Sequence, residues 1–160
     1  MNQQYLLTLV LGIALVLFII YRQLVKRPVE SRQLVVLPLV LAALGLTNLN
    51  HEPPATSAAV STLVASLASA VVFGLARGVS VRVWQEAGTV LRQGTAITLA
   101  LWVIAIALRI GIGAIAHRDG VAQSVTFGEL PLFLGVTLAA QNVVIWMRAQ
   151  AILLRPLAVG

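Results

Sequence analysis

Five long apolar stretches, separated by short polar segments, dominate the hydropathy pattern of this 160-residue chain. A helix needs about 20 apolar residues to cross the hydrocarbon core of a bilayer. The second stretch is the weakest of the five, because it is short and contains Pro38 and Gly45. The pattern predicts an all-α membrane protein, a single domain over residues 1–160, with five transmembrane helices at about 5–21, 34–49, 56–76, 95–116 and 130–147.

The segment between the third and fourth predicted helices has a different pattern. Apolar and polar residues alternate with a period of two over 79–84, a turn-like segment follows at 85–88, and a second extended run leads to Gly94. This alternation predicts a small β-hairpin at about 79–94. Because two strands alone are marginally stable in water, we expect the hairpin to rest on the membrane surface, with Trp84 at the depth of the headgroups.

The composition agrees with a protein that is dissolved in lipid. Apolar residues make up 59% of the chain and charged residues 10%, whereas ordinary soluble domains carry about 25% charged residues. This excludes a conventional soluble enzyme and a disordered chain. The chain has no cysteine, which excludes disulfides and thiolate metal sites. No Lys or Arg precedes the first apolar stretch, so we interpret it as a retained helix and not a signal peptide.

The basic residues divide unequally between the two sides of the predicted bundle. Nine of them lie in alternate loops or the C-terminal tail, namely Arg22, Lys26, Arg27, Arg32, Arg77, Arg82, Arg92, Arg148 and Arg155. The opposite loops contain Arg118 together with Glu52, Asp119 and Glu129. The positive-inside rule then predicts an N-terminus outside and a C-terminus in the cytoplasm. We interpret the net charge of +6 in this way and expect no binding to nucleic acid.

Arg109 is the one charged residue inside a predicted span. A buried arginine in a membrane is costly, so it normally has a polar partner. The rise of an α-helix places Gln141 and Asn142 of the fifth predicted helix at a similar depth, and we predict a hydrogen bond from Arg109 to one of them. This cluster either fastens two helices together, binds an anionic or polar ligand, or contacts a partner subunit.

Two further sets of residues are candidates for binding or packing. His51 and His117 both fall at outer helix ends, where they are either exposed loop residues or ligands of a haem or metal. The third predicted helix carries small residues at a spacing of three to four, which favours close helix packing: Ala58, Thr62, Ala65 and Ser69. Nothing in the sequence predicts a catalytic residue.

Several short motifs together resemble the CcdC-like family of small bacterial integral membrane proteins. These are Arg27-Pro28 after the first span, Ala76-Arg77-Gly78 followed by 81–84, the segment 92–95, and Leu101-Trp102 leading to Arg109. The resemblance covers roughly residues 15–150. The family name implies a link with cytochrome c maturation, although the family has no established activity. Without cysteine, the chain is not expected to exchange thiols directly.

These observations favour a non-enzymatic, multi-pass protein of a bacterial inner membrane that acts as an accessory or interaction subunit, with a membrane protein partner or a second copy of itself. One alternative is a small carrier or ligand-binding protein that uses Arg109 for an anionic group. A second alternative is haem binding at the outer face through His51 and His117. Apart from that haem, no cofactor is expected.

Overall fold

A computed structural model describes Tyr21, residues 25–51, 56–121 and 128–154 of the chain, and every structural statement below concerns these residues. Four α-helices are present: α1 (Ser31–His51), α2 (Ser57–Ser80), α3 (Ala96–Arg118) and α4 (Leu130–Leu153). The predicted helices at 34–49, 56–76, 95–116 and 130–147 are therefore found. Helix α1 begins three residues earlier than predicted, the other three begin within one residue of the predicted start, and all four end two to six residues later. The first predicted span, 5–21, lies outside the described residues except for Tyr21.

Three of these helices, α2, α3 and α4, are long and apolar enough to cross a membrane. The apolar part of α1, Leu34–Leu49, is shorter than a typical span. Four of the predicted spans lie within the described residues, and three of these four have sufficient length. The fourth, α1, does not, because polar or charged residues occupy both of its ends. This is the composition and architecture of a membrane protein.

Local capping explains where two of the helices begin. The Oγ1 of Thr56 accepts a hydrogen bond from the backbone N–H of Ala59 at the start of α2. Thr95 and Thr98 form a reciprocal capping box at the start of α3. Each cap satisfies backbone donors that the first helical turn leaves unpaired.

Helix α4 is central in the bundle: it packs against α1 on one side and α2 on the other, while α3 packs against α2. The contacts depend on glycines. A methyl group at Gly74 of α2 would lie 2.5 Å from the carbonyl oxygen of Thr137, and one at Gly135 of α4 would lie 2.6 Å from the backbone nitrogen of Ala42. Gly78 and Gly45 are in similarly tight contacts with Gln141 and Leu132. Small residues of this kind let membrane helices approach closely.

The buried face of α2 differs from the predicted stripe of small residues. The structure buries Ala59, Ser66, Ala70, Gly74, Arg77 and Gly78. Of the predicted set, Ala65 is exposed, whereas Ala58, Thr62 and Ser69 are half-buried. The hydroxyls of Thr62 and Ser69 bond carbonyls of their own helix, those of Ala58 and Ser66. The predicted stripe therefore borders the packed face, because the glycines at 74 and 78 set the rotation of the helix.

The predicted hairpin is present and belongs to a three-stranded antiparallel sheet. Strands β2 (Arg82–Glu86) and β3 (Thr89–Gln93) form the hairpin, and the two-residue strand β1 (Arg27–Pro28) pairs with the other edge of β3. The turn residues Ala87 and Gly88 have φ angles of 48° and 78°. Positive φ at both positions is the geometry of a type I′ turn, whose twist matches that of the flanking strands.

Polar side chains hold the segment that connects α2 to this sheet. The Nη1 of Arg148 on α4 donates to the carbonyls of Gly78, Val79 and Val81 at 3.0, 2.9 and 2.6 Å. These carbonyls lie at the end of α2, where the last turn lacks intrahelical donors and a positive charge is favourable. Thr95 Oγ1 donates to the carbonyl of Ser80 at 3.0 Å. We call the end of the bundle that carries the sheet the sheet end, and the opposite end the far end.

The helices do not all begin at one level at the far end. Thr137 faces Gly74 and Gln141 faces Gly78, so α2 and α4 run parallel with a constant offset. On that offset Glu129, the residue directly before α4, is level with Ser66, nine residues or about 14 Å into α2. Helices α2 and α3 therefore extend about two and a half turns beyond the start of α4. Ala59, Ala116 and Val121 pack together in this extension.

The glycine contacts yield a direct test of how α4 is held. We expect Gly74→Ala to destabilise the protein by about 1–3 kcal/mol, because the added methyl overlaps the backbone of α4. Gly111→Ala is the matched control: nothing lies within 4 Å of a methyl at Gly111, so it should be neutral or stabilise by up to about 1 kcal/mol. Thermal unfolding in detergent measures both. Equal effects would contradict the proposed role of Gly74.

Candidate functional site

Arg109 forms an ion pair inside the bundle, with the residue that precedes α4. Its Nη2 lies 2.5 Å from Oε1 of Glu129. The two side chains are almost completely enclosed, since Arg109 is 6% exposed and Glu129 2% exposed. The hydroxyl of Ser66 on α2 lies beside the same carboxyl. Three helices thus meet at this pair, and the carboxylate supplies the counter-charge that a buried guanidinium requires.

The sequence-based placement of Glu129 in an outer loop is wrong, and so is the inference that no acidic residue lies within the bundle. That placement assumed that every helix begins at the membrane surface. Because α4 begins about two and a half turns below the far ends of α2 and α3, its first residues lie at the depth of Arg109. A carboxyl directly before an apolar helix was the available signal, but sequence alone does not give the relative depth of two helices.

The two residues predicted to bind Arg109 have other surroundings. Asn142 donates to the carbonyl of Leu34 at 2.8 Å and accepts from Nη1 of Arg92 at 3.5 Å, so it ties α1, α4 and the sheet together. Gln141 is buried, and its Oε1 has no hydrogen-bond donor among the described residues. The structure thus brings Arg109 to Glu129 and leaves Gln141 and Asn142 nearer the sheet end.

A second arginine, Arg77, is completely buried, although the sequence placed it in a cytoplasmic loop. Helix α2 continues to Ser80, which carries Arg77 into the bundle. Its Nη2 donates to Oγ1 of Thr137 on α4. Its guanidinium lies over the ring of Trp102 on α3, 3.9 Å from the ring centre. A cation over the face of an aromatic ring is attracted by the ring quadrupole.

Arg77 was missed because a lone arginine near a predicted helix end is ordinarily assigned to the surface. A usable signal was its position between Gly74 and Gly78, which form a small-xxx-small pair on α2. A residue enclosed by such a pair lies close to the neighbouring helix. The two arginines are thus held at two levels of the bundle, by different partners on α4.

The two candidate histidines do not come together. Both lie towards the far end, but His51 ends α1, which packs on α4, whereas His117 is on α3, which packs on α2. His117 is exposed, and the side chain of His51 is outside the described set. Among the described residues, no group of three or more His, Cys, Asp or Glu side chains could hold a metal ion.

An apolar groove opens on the side of the bundle between α1 and α4. It has a volume of about 340 Å³ and is lined by residues that include Leu34, Pro38, Ala42, Ala139 and Trp146. Trp146 also borders a second, more polar pocket of about 370 Å³ between the hairpin turn and the end of α4. The two cavities adjoin at this tryptophan.

Comparison with models of known protein families, with curated proteins and with solved structures finds no match to this chain.

The ion pair predicts a strong effect of removing one charge. Glu129→Gln keeps the size of the side chain but removes the carboxylate charge that compensates the buried guanidinium of Arg109, which should cost about 3–5 kcal/mol of stability. Thermal unfolding in detergent measures this. The matched control is Glu86→Gln, the same change on an exposed strand, where we expect a change within about 0.5 kcal/mol.

A second variant separates the charge from the packing. The double change Arg109→Gln and Glu129→Gln replaces the ions with two neutral amides, and it should recover much of the stability lost in Glu129→Gln alone. If the single and double variants lose equal stability, the ion pair is not what holds the three helices at this level.

Proposed function

We propose that this chain is a non-enzymatic accessory or interaction protein of a bacterial inner membrane, with five transmembrane helices. In this proposal α1 and the segment 5–21 also cross the membrane, the N-terminus is outside and the sheet end faces the cytoplasm. The charge distribution supports this orientation: the described basic residues near the sheet end include Lys26, Arg27, Arg82, Arg92 and Arg148, and cytoplasmic loops carry such an excess.

The firm attachment of the sheet is the observation that carries an interaction function. A sheet this small is marginally stable alone, yet both of its connections are held. Arg148 binds the carbonyl directly before β2, and Thr95 binds the chain after β3 to the end of α2. Asn142 of α4 accepts a hydrogen bond from Arg92 of β3. Among the described strands, β2 pairs with β3 alone, and no strand pairs with its other edge. An exposed strand edge held in a fixed position can accept a strand from another protein.

The alternative of an anion carrier that uses Arg109 has less support. Its guanidinium is paired with Glu129 and enclosed by three helices, so its charge is already compensated. Haem binding through His51 and His117 has no supporting contact, since their helices pack on different neighbours. The resemblance to the CcdC-like family adds the proposal of a role near cytochrome maturation, and it rests on the sequence motifs alone.

The proposed topology has a simple test, because the chain contains no cysteine. Single substitutions Asn2→Cys, Gln85→Cys and Asp119→Cys can be treated with a membrane-impermeant maleimide in intact cells. We expect labelling at 2 and 119, and labelling at 85 only after permeabilisation. Labelling at 119 but not at 2 would indicate an even number of spans and contradict the five-helix proposal.

The interaction function predicts a partner that depends on β2. Native mass spectrometry of protein extracted gently from its own membranes should show a second polypeptide, or a second copy, at fixed stoichiometry. Replacing the exposed residues Arg82 and Gln85 with Glu should abolish this complex, because it changes the formal charge of β2 from zero to −3.

The matched control is Arg118→Glu, which changes an exposed arginine at the far end and should leave the complex intact. A monomer that carries a defined small mass, with no second polypeptide, would contradict the interaction proposal and favour the ligand-binding alternative.

A further inference from the structure

Arg77 differs from Arg109 in the charge that surrounds it. Arg109 has a carboxylate partner in Glu129. Among the described residues, the contacts of the Arg77 guanidinium are with a neutral hydroxyl, that of Thr137, and the ring of Trp102. Its side chain is 0% exposed. A buried charge in an apolar bundle normally needs an opposite charge nearby, since the aromatic ring offsets only part of the lost hydration.

The donors around Arg77 outnumber the acceptors. Its Nε and Nη1 have no hydrogen-bond acceptor among the described residues, and neither does Nε1 of Trp102. Arginine and tryptophan side chains donate and do not accept. The stacked guanidinium and indole thus present three buried donor atoms and a positive charge at one place between α2 and α3.

The third residue at this level is Gln141, on α4. Gln141 follows Thr137 by one helical turn, and its backbone carbonyl lies against Gly78, the residue next to Arg77. Its amide is buried with Oε1 lacking a donor. A half-turn of that amide exchanges its oxygen for two N–H donors. Buried donors on α2 and α3 and a buried amide on α4 thus occur at the same level of the bundle.

We propose that Arg77, Trp102 and Gln141 form a binding site for a small inorganic anion such as chloride. Several converging donors and a fixed positive charge in a low-dielectric interior are the features that favour an anion over water. The site is independent of the interaction function proposed above. The bound anion compensates the buried charge of Arg77, as Glu129 compensates that of Arg109. It also links α2, α3 and α4 near the sheet end.

The experiment uses Trp102 as its own reporter. In a Trp84→Phe and Trp146→Phe background, Trp102 is the single tryptophan of the chain. The purified protein in zwitterionic nanodiscs is titrated with sodium bromide against sodium gluconate at constant ionic strength. A bromide held beside the indole quenches its fluorescence by the heavy-atom effect. We expect saturable quenching, and a Tm about 2–5 °C higher in saturating chloride than in gluconate.

Gln141→Glu is the decisive variant, because it places a carboxylate where the anion would bind. Its Tm should be the same in chloride and gluconate, and bromide should no longer quench Trp102. The matched control is Arg118→Gln, which removes an exposed arginine and should keep both responses.

Equal Tm and equal Trp102 emission of the wild-type bundle in chloride, bromide and gluconate would overturn the proposal, and so would an unchanged response in Gln141→Glu. A response to vesicles containing anionic lipid, without a response to halide, would also overturn it, because the ligand would then be a lipid phosphate. If Gln141→Glu does not fold, the wild-type titration decides alone.

Discussion

The close approach of α4 to its two neighbours is the constraint on which the rest of the structure depends. Gly45 and Gly135 let the backbones of α1 and α4 meet, and Gly74 and Gly78 do the same for α2 and α4. Apolar side chains alone provide little drive for helix association in lipid, so backbone contact and buried polar groups must supply it. The glycines fix both the rotation of α2 and the depth at which α4 begins, and these two quantities decide which polar side chains meet.

The buried cations follow from that depth. Since α4 starts about two and a half turns inside the bundle, Glu129 lies beside Arg109 and Thr137 lies beside Arg77. One guanidinium is thereby neutralised within the chain, while the other is met by a hydroxyl and an aromatic face. The level of Arg109 contains a carboxylate and the level of Arg77 does not, although α2, α3 and α4 contribute to both. This inequality is the reason for placing an anion at the level of Arg77.

The sheet end shows how a small extramembrane element acquires a fixed position. Arg148 compensates the last carbonyls of α2 while it holds the chain that enters β2. Asn142 connects the start of α1 with Arg92 of β3. Helix termini and strands thus share the same polar side chains, so a force applied to the sheet by a partner would reach the helices directly. Such coupling suits a protein whose proposed role is interaction within a membrane complex.

The sequence predicts the membrane character, four of the helices and the hairpin, because each depends on local runs of apolar residues or on a period of two. It also identified Arg109 as a buried arginine, since a charge amid 20 apolar residues has no other explanation. It did not determine the partner of that arginine, the burial of Arg77 or the third strand at Arg27–Pro28. Those features depend on the relative depth and rotation of helices, which glycine contacts between distant parts of the chain decide. Hydropathy describes one segment at a time, whereas the depth of a residue in the bundle depends on how two segments lie relative to each other.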